Sequence, residues 1–133
     1  MVRRFGVVLV GLLVTLGMVG CGSEELPDNT RLIEAFSEGR TGIWVSGHGT
    51  VVRELGSDPA QQRFLLSVHE GFSLVVRHRQ GDAGPVPVER GDILEFHGRY
   101  EFHGGGGEIQ LTHADPAQPG GGGWIRHNGV RYQ

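Results

Sequence analysis

Apolar side chains alternate with polar ones along five separate segments of the chain. The segments are residues 43–51, 63–69, 72–78, 94–103 and 109–113, and turn-forming residues separate them. Successive side chains of a strand point to opposite faces, so a period of two predicts strands that are half buried. Five such strands at short intervals predict an all-β sandwich or barrel.

Glycine interrupts the buried phase of the first and fourth segments, at Gly47, Gly49 and Gly98. Strands of a small closed barrel bend and approach one another closely, which glycine permits. Five strands with a bent first strand resemble an OB-fold barrel, although a Pro/Gly-rich loop at residues 80–91 replaces the usual helix. The predicted fold class is therefore all-β: a five-stranded OB-fold-like barrel, with an SH3-like barrel as the main alternative.

A short helix is predicted before the barrel. Leu32, Ile33 and Phe36 share one helical face, residues 28–30 offer side-chain oxygens for the N-cap, and Gly39 is suited to end the helix. A helix this short is marginal alone, so we expect its apolar face to pack on the domain.

A β-hairpin is predicted at the C-terminal end, within residues 115–133. Asn128-Gly129 lies between two short apolar segments, and this pair favours a type I′ turn because both positions need a positive φ. We expect the hairpin to lay Trp124 and Tyr132 on the domain, since two strands are not stable alone.

The N-terminal residues predict export and lipidation. Arg3 and Arg4 precede about fifteen apolar or small residues, fewer than the roughly 20 that span a bilayer. Gly20-Cys21 then supplies the small residue and thiol of a bacterial lipoprotein cleavage site. We predict a signal peptide over 1–20, a lipidated Cys21, a tether over 21–28 and one domain over 29–133. The alternative is an uncleaved anchor helix, or an ordinary signal peptide with an incidental cysteine.

Composition limits the partners of this domain. Of the 12 basic residues, all arginine, Arg3 and Arg4 fall in the signal peptide, so ten remain against 15 Asp and Glu, a formal charge of −5. Nucleic acid is therefore not expected, because phosphate binding needs a basic surface. The lipid on Cys21 is the expected membrane contact. Since no Asp follows the cysteine, a periplasm-facing lipoprotein of the outer membrane is favoured over the inner membrane.

Seven separated motifs run in order through the domain, at residues 47–52, 62–64, 91–96, 98–101, 112–116, 123–129 and 132–133. Together they resemble the bacterial domain of unknown function 3465 family. The resemblance covers about residues 32–133 and implies a small exported domain with an OB-like core, but no assigned activity. The chain departs from the family pattern at Gln61 and Ala114, where histidine is usual, and at Leu111, where an aromatic residue is usual. A site that uses those histidines would be weakened here.

The seven histidines suggest a metal site. Strand phase places four of them outward, on an expected solvated surface: His48, His69, His97 and His103. His78 and His113 fall on the inward phase, where Asp115 and His127 from the tail would complete one polar cluster. Imidazole and carboxylate suit zinc or copper. The favoured alternative is structural: His78 and His113 bond backbone groups and hold the hairpin, so no cofactor is predicted.

Three functions remain open. The first is a binding module for a periplasmic protein, peptide or glycan, because OB barrels bind ligands on the face of strands two and three. There Arg63, Arg77 and Arg79 form a basic patch suited to an anionic ligand, with a solvated sheet face as the alternative. The second is a metal-binding lipoprotein. The third, an enzyme of unknown reaction, is least expected, because no nucleophile elbow, paired carboxylate or phosphate loop occurs.

Overall fold

The computed structural model describes residues 25–56, 58, 60–81 and 84–133. The predicted signal peptide and Cys21 lie outside these residues. In chain order the elements are helix α1 (Thr30–Glu38) and strands β1 (Ile43–Glu54), β2 (Gln61–His69), β3 (Phe72–Arg79), β4 (Ile93–Glu101), β5 (Glu108–Gln110), β6 (Trp124–His127) and β7 (Val130–Tyr132). In the part of the chain so described, no helix has the length and apolar character to cross a membrane.

Five strands form a closed barrel. Neighbouring strands follow the order β1-β2-β3-β5-β4, and β4 pairs with β1 to complete the circle. The closing ladder runs from the pair Ile43 and Tyr100 to the pair Thr50 and Ile93. The pairing of β3 with β5 is parallel, whereas β1 with β2 and β1 with β4 are antiparallel. The predicted five-stranded OB-fold-like barrel, with a short helix and a C-terminal hairpin, is confirmed.

Burial inside the barrel follows the predicted alternation. In β1 the buried positions are Val45, Gly47, Gly49 and Val51, and in β4 they are Leu94, Phe96, Gly98 and Tyr100. Glycine leaves room for neighbouring atoms at these positions. A Cβ at Gly47 would lie 2.5 Å from Asn29 Oδ1, and one at Gly98 would lie 2.5 Å from the Gln110 carbonyl oxygen. These glycines let the segment before α1 approach β1, and let β5 approach β4.

Helix α1 covers one end of the barrel. Leu32 and Ala35 are buried, Phe36 stacks on Phe72 with ring centroids 4.2 Å apart, and Gly39 ends the helix in the left-handed conformation, as predicted. The N-cap residue Asn29 does not cap the helix. Its amide instead accepts from the backbone N–H of His48 at 2.8 Å and donates to the His48 carbonyl at 3.1 Å.

A loop covers the opposite end of the barrel, where the OB-like helix would lie. Val86 is 1% exposed and belongs to the core. The side chain of Gln62, which points into the barrel from β2, accepts from the Val86 backbone N–H at 2.7 Å and donates to the Val86 carbonyl at 3.2 Å. A buried side-chain amide thus replaces the missing helix as the anchor for this end.

Two predictions about strand phase are wrong. Strand β5 ends at Gln110 rather than continuing to His113, because Leu111 has a φ of 59°. This turn shifts the phase by one residue, so Thr112 is fully buried while His113 is half-buried on the outside. Phe102 is 39% exposed rather than inward, because β4 ends at Glu101 and Phe102 lies over Phe36.

The C-terminal hairpin continues the sheet beyond β4. Strand β6 pairs with the first half of β4, whereas β5 pairs with its last residues. Asn128 and Gly129 have φ values of 51° and 80°, which confirms the predicted type I′ turn. Tyr132 is 9% exposed and joins the core, whereas Trp124 is half-buried on the outer face.

Candidate functional site

The three arginines predicted for ligand binding lie on neighbouring strands. Arg63 of β2 is directly opposite Arg77 of β3, and Arg79 is opposite Gln61. The side chain of Arg63 folds toward Gly56. A Cβ built on Gly56 would lie 2.7 Å from the Nη2 atom of Arg63. Arg77 and Arg79 instead face the groove between β3 and β5.

This arginine groove has a volume of about 390 Å³. Its lining consists of Gln61, Arg77, Arg79, Glu108, Gln110, Leu111, Thr112 and His113. The parallel pairing of β3 with β5 forms it, since that pairing sets the segment after β5 beside the end of β3. The groove therefore combines two predicted ligand-binding arginines with one residue predicted as a metal ligand, His113.

Hydrogen bonds fix one side of the arginine groove. Arg77 donates from Nε to Glu108 Oε1 at 2.7 Å and from Nη1 to Gln61 Oε1 at 3.1 Å. Gln110 Nε2 donates to the same Glu108 oxygen at 2.6 Å. Arg77 is thus held in one orientation and its charge is balanced by a carboxylate that is 15% exposed.

Arg79 is the exposed cation of this groove. Among the residues that the structure describes, no carboxylate pairs with Arg79 and no acceptor bonds its guanidinium. Its charge reaches His113: burial lowers the pKa of that imidazole, the charge of Arg79 lowers it further, and Asp115 opposes both. His113 is therefore neutral at pH 7, and the net charge of the groove comes from the arginines.

His78 lies inside the barrel, as its strand phase predicts, and is 1% exposed. The Thr112 hydroxyl donates to the Arg77 carbonyl at 2.7 Å, so it accepts from Nδ1 of His78, 2.9 Å away. Burial lowers the pKa of His78 to about 4, with a bond to Thr112 opposing it and His113 adding to it. This neutral histidine joins β3 to the segment after β5.

His127 belongs to a different contact. It is 3% exposed, and its Nε2 lies 2.8 Å from Asp92 Oδ2, so the hairpin is joined to the turn before β4. The bond from His127, followed by one from the Glu89 backbone N–H, lowers the pKa of Asp92.

The four predicted metal ligands, His78, His113, Asp115 and His127, do not converge on one point. In residues 25–56, 58, 60–81 and 84–133, no three His, Cys, Asp or Glu side chains come together as metal ligands. His78 bonds the Thr112 hydroxyl and His127 contacts Asp92, so the ring of His78 does not make the backbone bond to the hairpin that the structural alternative expected.

Sequence reasoning missed a cluster on the outer face of β1, β4 and β6. His97, expected on a solvated surface, is half-buried between the rings of Trp44 and Trp124, and burial lowers its pKa. The alternation within each strand predicts that Trp44, His97 and Trp124 point outward. Their proximity depends on the pairing of β4 with both β1 and β6, which no local pattern specifies.

Comparison with known protein families identifies a match over nearly the whole chain. The family model described as "Protein of unknown function (DUF3465)" matches residues 14–133, which confirms the resemblance inferred from the motifs. No curated protein and no solved structure matches the chain.

Proposed function

This chain belongs to the DUF3465 family, and we propose that it is a lipid-anchored periplasmic protein that binds an anionic ligand in the arginine groove. The observation that carries the proposal is the contrast between two neighbouring arginines. Arg77 is fixed by Glu108 and Gln61, whereas Arg79 is exposed with no carboxylate partner among the described residues. A ligand would bind the oriented guanidinium of Arg77, and the exposed guanidinium of Arg79 could then form a second contact with the ligand.

The chemistry of the groove favours carboxylate, phosphate or sulfate groups. A guanidinium presents its donors in a planar fork that matches two oxygens of such a group. Arg77 and Arg79 against Glu108 leave the groove positive, although the chain carries a formal charge of −3. A local positive site on an acidic protein directs anions to that one place.

The position of the groove suits a protein anchored at Cys21. The nine steps from Cys21 to Thr30 span at most about 30 Å. Helix α1 packs where β3 begins, through Phe36 on Phe72, and Arg79 ends the same strand, about 23 Å further along. An anchor on the α1 side would direct the arginine groove away from the membrane.

The anchor is tested by lipid labelling in a bacterial host. Cells that express the full chain are grown with a palmitate analogue, and membrane fractions are compared with those of a Cys21→Ser variant. We expect label on the wild-type protein and none on the variant, which should leave the membrane fraction. Label on both proteins, or on neither, would overturn the lipoprotein proposal.

Ligand binding is tested with sulfate, an anion that does not titrate near neutral pH. The core closes within residues 32–132, so residues 25–133 are expected to fold as a soluble domain. We expect sulfate to shift the amide resonances of residues 77–79 and 110–113, and we expect Arg79→Ala to abolish those shifts. Arg53→Ala, at an exposed arginine outside the groove, is the matched control. Shifts that survive Arg79→Ala, or that Arg53→Ala removes equally, would reject the arginine groove.

A further inference from the structure

A row of side chains crosses four strands on the outer surface, away from the lining of the arginine groove. We call it the tryptophan face and define it by Trp44 of β1, His97 of β4, Trp124 of β6 and Arg131 of β7, with Ser46 beside His97. Trp44, His97 and Trp124 are half-buried, and Arg131 is exposed. None of these residues lines the arginine groove.

The rings of the tryptophan face form a continuous row, in which His97 is tilted against Trp44 and stacked on Trp124. The centroids of Trp44 and His97 are 5.6 Å apart with planes at 31°, and those of His97 and Trp124 are 6.2 Å apart at 22°. The guanidinium of Arg131 lies 4.5 Å from the Trp124 centroid, on the last strand of the sheet. Each side chain limits the motion of the next, so the surface is preorganised for a ligand.

The hydrogen-bonding groups that remain without an acceptor on this face, among the described residues, are donors. Ser46 Oγ lies 2.8 Å from His97 Nδ1, which satisfies these two groups. In the described residues, neither the indole N–H of Trp44 nor that of Trp124 has an acceptor, and no carboxylate pairs with Arg131. An indole N–H and a guanidinium can only donate, so these groups fit a ligand that is rich in acceptor oxygens.

Two grooves meet at Arg131, which gives the face room for an extended ligand. One groove, of about 490 Å³, is lined by Glu95, Arg126, Gly129 and Arg131, and its Glu95 is paired with Arg126. The other, of about 360 Å³, is lined by Ser46, His97, Trp124 and Arg131 together with Gln133 and residues 120–123. A chain laid along both grooves would cross the exposed guanidinium at its middle.

We propose that the tryptophan face binds a glycan chain that carries carboxylate groups. The C–H groups of sugar rings pack on aromatic surfaces, and sugar hydroxyls accept from indole N–H groups. The carboxylate supplies the two oxygens that the Arg131 fork lacks. A neutral glycan would leave that guanidinium in contact with the Trp124 ring but without a carboxylate, so the charge of the ligand determines its affinity. This proposal does not depend on the arginine groove.

Intrinsic fluorescence reports directly on this face, because the chain has two tryptophans and both lie in it. The soluble domain, residues 25–133, is titrated with an oligogalacturonate hexamer, and with cellohexaose as the neutral hexamer. We expect a saturable fluorescence change with the galacturonate, and an affinity about tenfold weaker or worse with cellohexaose. No saturable change with the galacturonate, or equal affinity for both glycans, would overturn the proposal.

Variants locate the site. Arg131→Ala should weaken galacturonate binding about tenfold, and Arg131→Lys should restore it only in part, because lysine keeps the charge without the planar fork. Arg53→Ala is the control at another exposed arginine. Binding that Arg79→Ala abolishes and Arg131→Ala leaves unchanged would move the ligand to the arginine groove and overturn the proposal. Equal affinity for hexaglutamate would identify the surface as a site for acidic peptides, which also overturns it.

Discussion

Gln62 holds Val86 by both of its backbone polar groups. The Gln62 side chain is 5% exposed, accepts from the Val86 N–H at 2.7 Å and donates to the Val86 carbonyl at 3.2 Å. It also donates to Glu54 Oε2 at 3.1 Å. The same arrangement occurs at the α1 end, where the Asn29 amide bonds both backbone groups of His48. At each end of the barrel, a side-chain amide thus joins a covering segment to the strands and bonds a backbone N–H and carbonyl as a neighbouring strand would.

Replacement of Gln62 should release the loop that covers the barrel. Gln62→Ala leaves the buried Val86 N–H without a partner, whereas the Val86 carbonyl keeps its bond from the Val88 N–H at 2.9 Å. We therefore expect the free energy of unfolding to fall by about 2 kcal/mol. The measurement is equilibrium unfolding in urea. Gln80→Ala is the matched control, because Gln80 lies near the same loop and its side chain makes no such clamp. Equal losses in the two variants would show that the Gln62 bonds do not secure the loop.

The buried His78 should make the domain sensitive to mild acid. Its pKa is lowered from 6.5 to about 4 by burial, so the unfolded chain binds a proton below pH 6.5 that the folded chain rejects. The contribution of His78 to the free energy of unfolding is therefore fully present above pH 6.5. It falls by about 1.4 kcal/mol per pH unit toward pH 4, or by about 3 kcal/mol in total. The measurement is the urea unfolding free energy at several pH values.

A substitution isolates this contribution from that of the other groups. His78→Gln removes the titrating group, so we expect a variant that is less stable at pH 7 but much less sensitive between pH 6.5 and pH 4. His69→Gln, at an exposed histidine, should keep the wild-type pH profile. An unchanged slope in His78→Gln would mean that His78 is not the group that resists protonation.

The contact between Asp92 and His127 should fasten the hairpin to the barrel. The pKa of Asp92 is lowered by the bond from His127, so its contribution is present above the ordinary aspartate pKa and is lost as pH falls through the lowered value. Asp92→Asn should speed amide hydrogen exchange in β6 and β7 at pH 7, while β2 and β3 keep their protection. Asp115→Asn is the control, since the Asp115 carboxylate accepts from the Ala117 N–H of its own turn. Equal protection of the hairpin in Asp92→Asn and the wild type would refute this role.

Most of the barrel could be predicted because its pattern is local. Alternation along β1 and β4 identified the buried phase. The exact register of β2 against β3 was less accessible, because a shift between Ser67 and His69 is needed to place Arg63 opposite Arg77. The phase after β5 could not be predicted, because Leu111 adopts a positive φ that leucine disfavours. The buried Thr112, bonded to both His78 and the Arg77 carbonyl, holds that segment against local preference.

The two candidate sites differ in how far the sequence indicated them. Arg77 and Arg79 share one strand phase, so their common face was predictable. The other wall of their groove comes from the parallel pairing of β5 with β3, which connects segments that are distant in sequence. The tryptophan face depends on a further long-range pairing, because Trp124 contacts His97 only when β6 pairs with β4. Long-range pairing, rather than side-chain chemistry, limited the prediction.

Gly129 offers a test of the hairpin turn that is free of packing effects. Its φ is 80°, and a Cβ at this position would meet no atom of the described residues within 4 Å, so Gly129→Ala imposes conformational strain without a clash. We expect the free energy of unfolding to fall by about 1 kcal/mol, the cost of a left-handed conformation for an L-residue. Gly104→Ala is the matched control, since Gly104 also faces open space but has no positive φ. Urea unfolding of both variants decides the point: if Gly104→Ala loses as much stability as Gly129→Ala, the left-handed turn does not stabilise the hairpin.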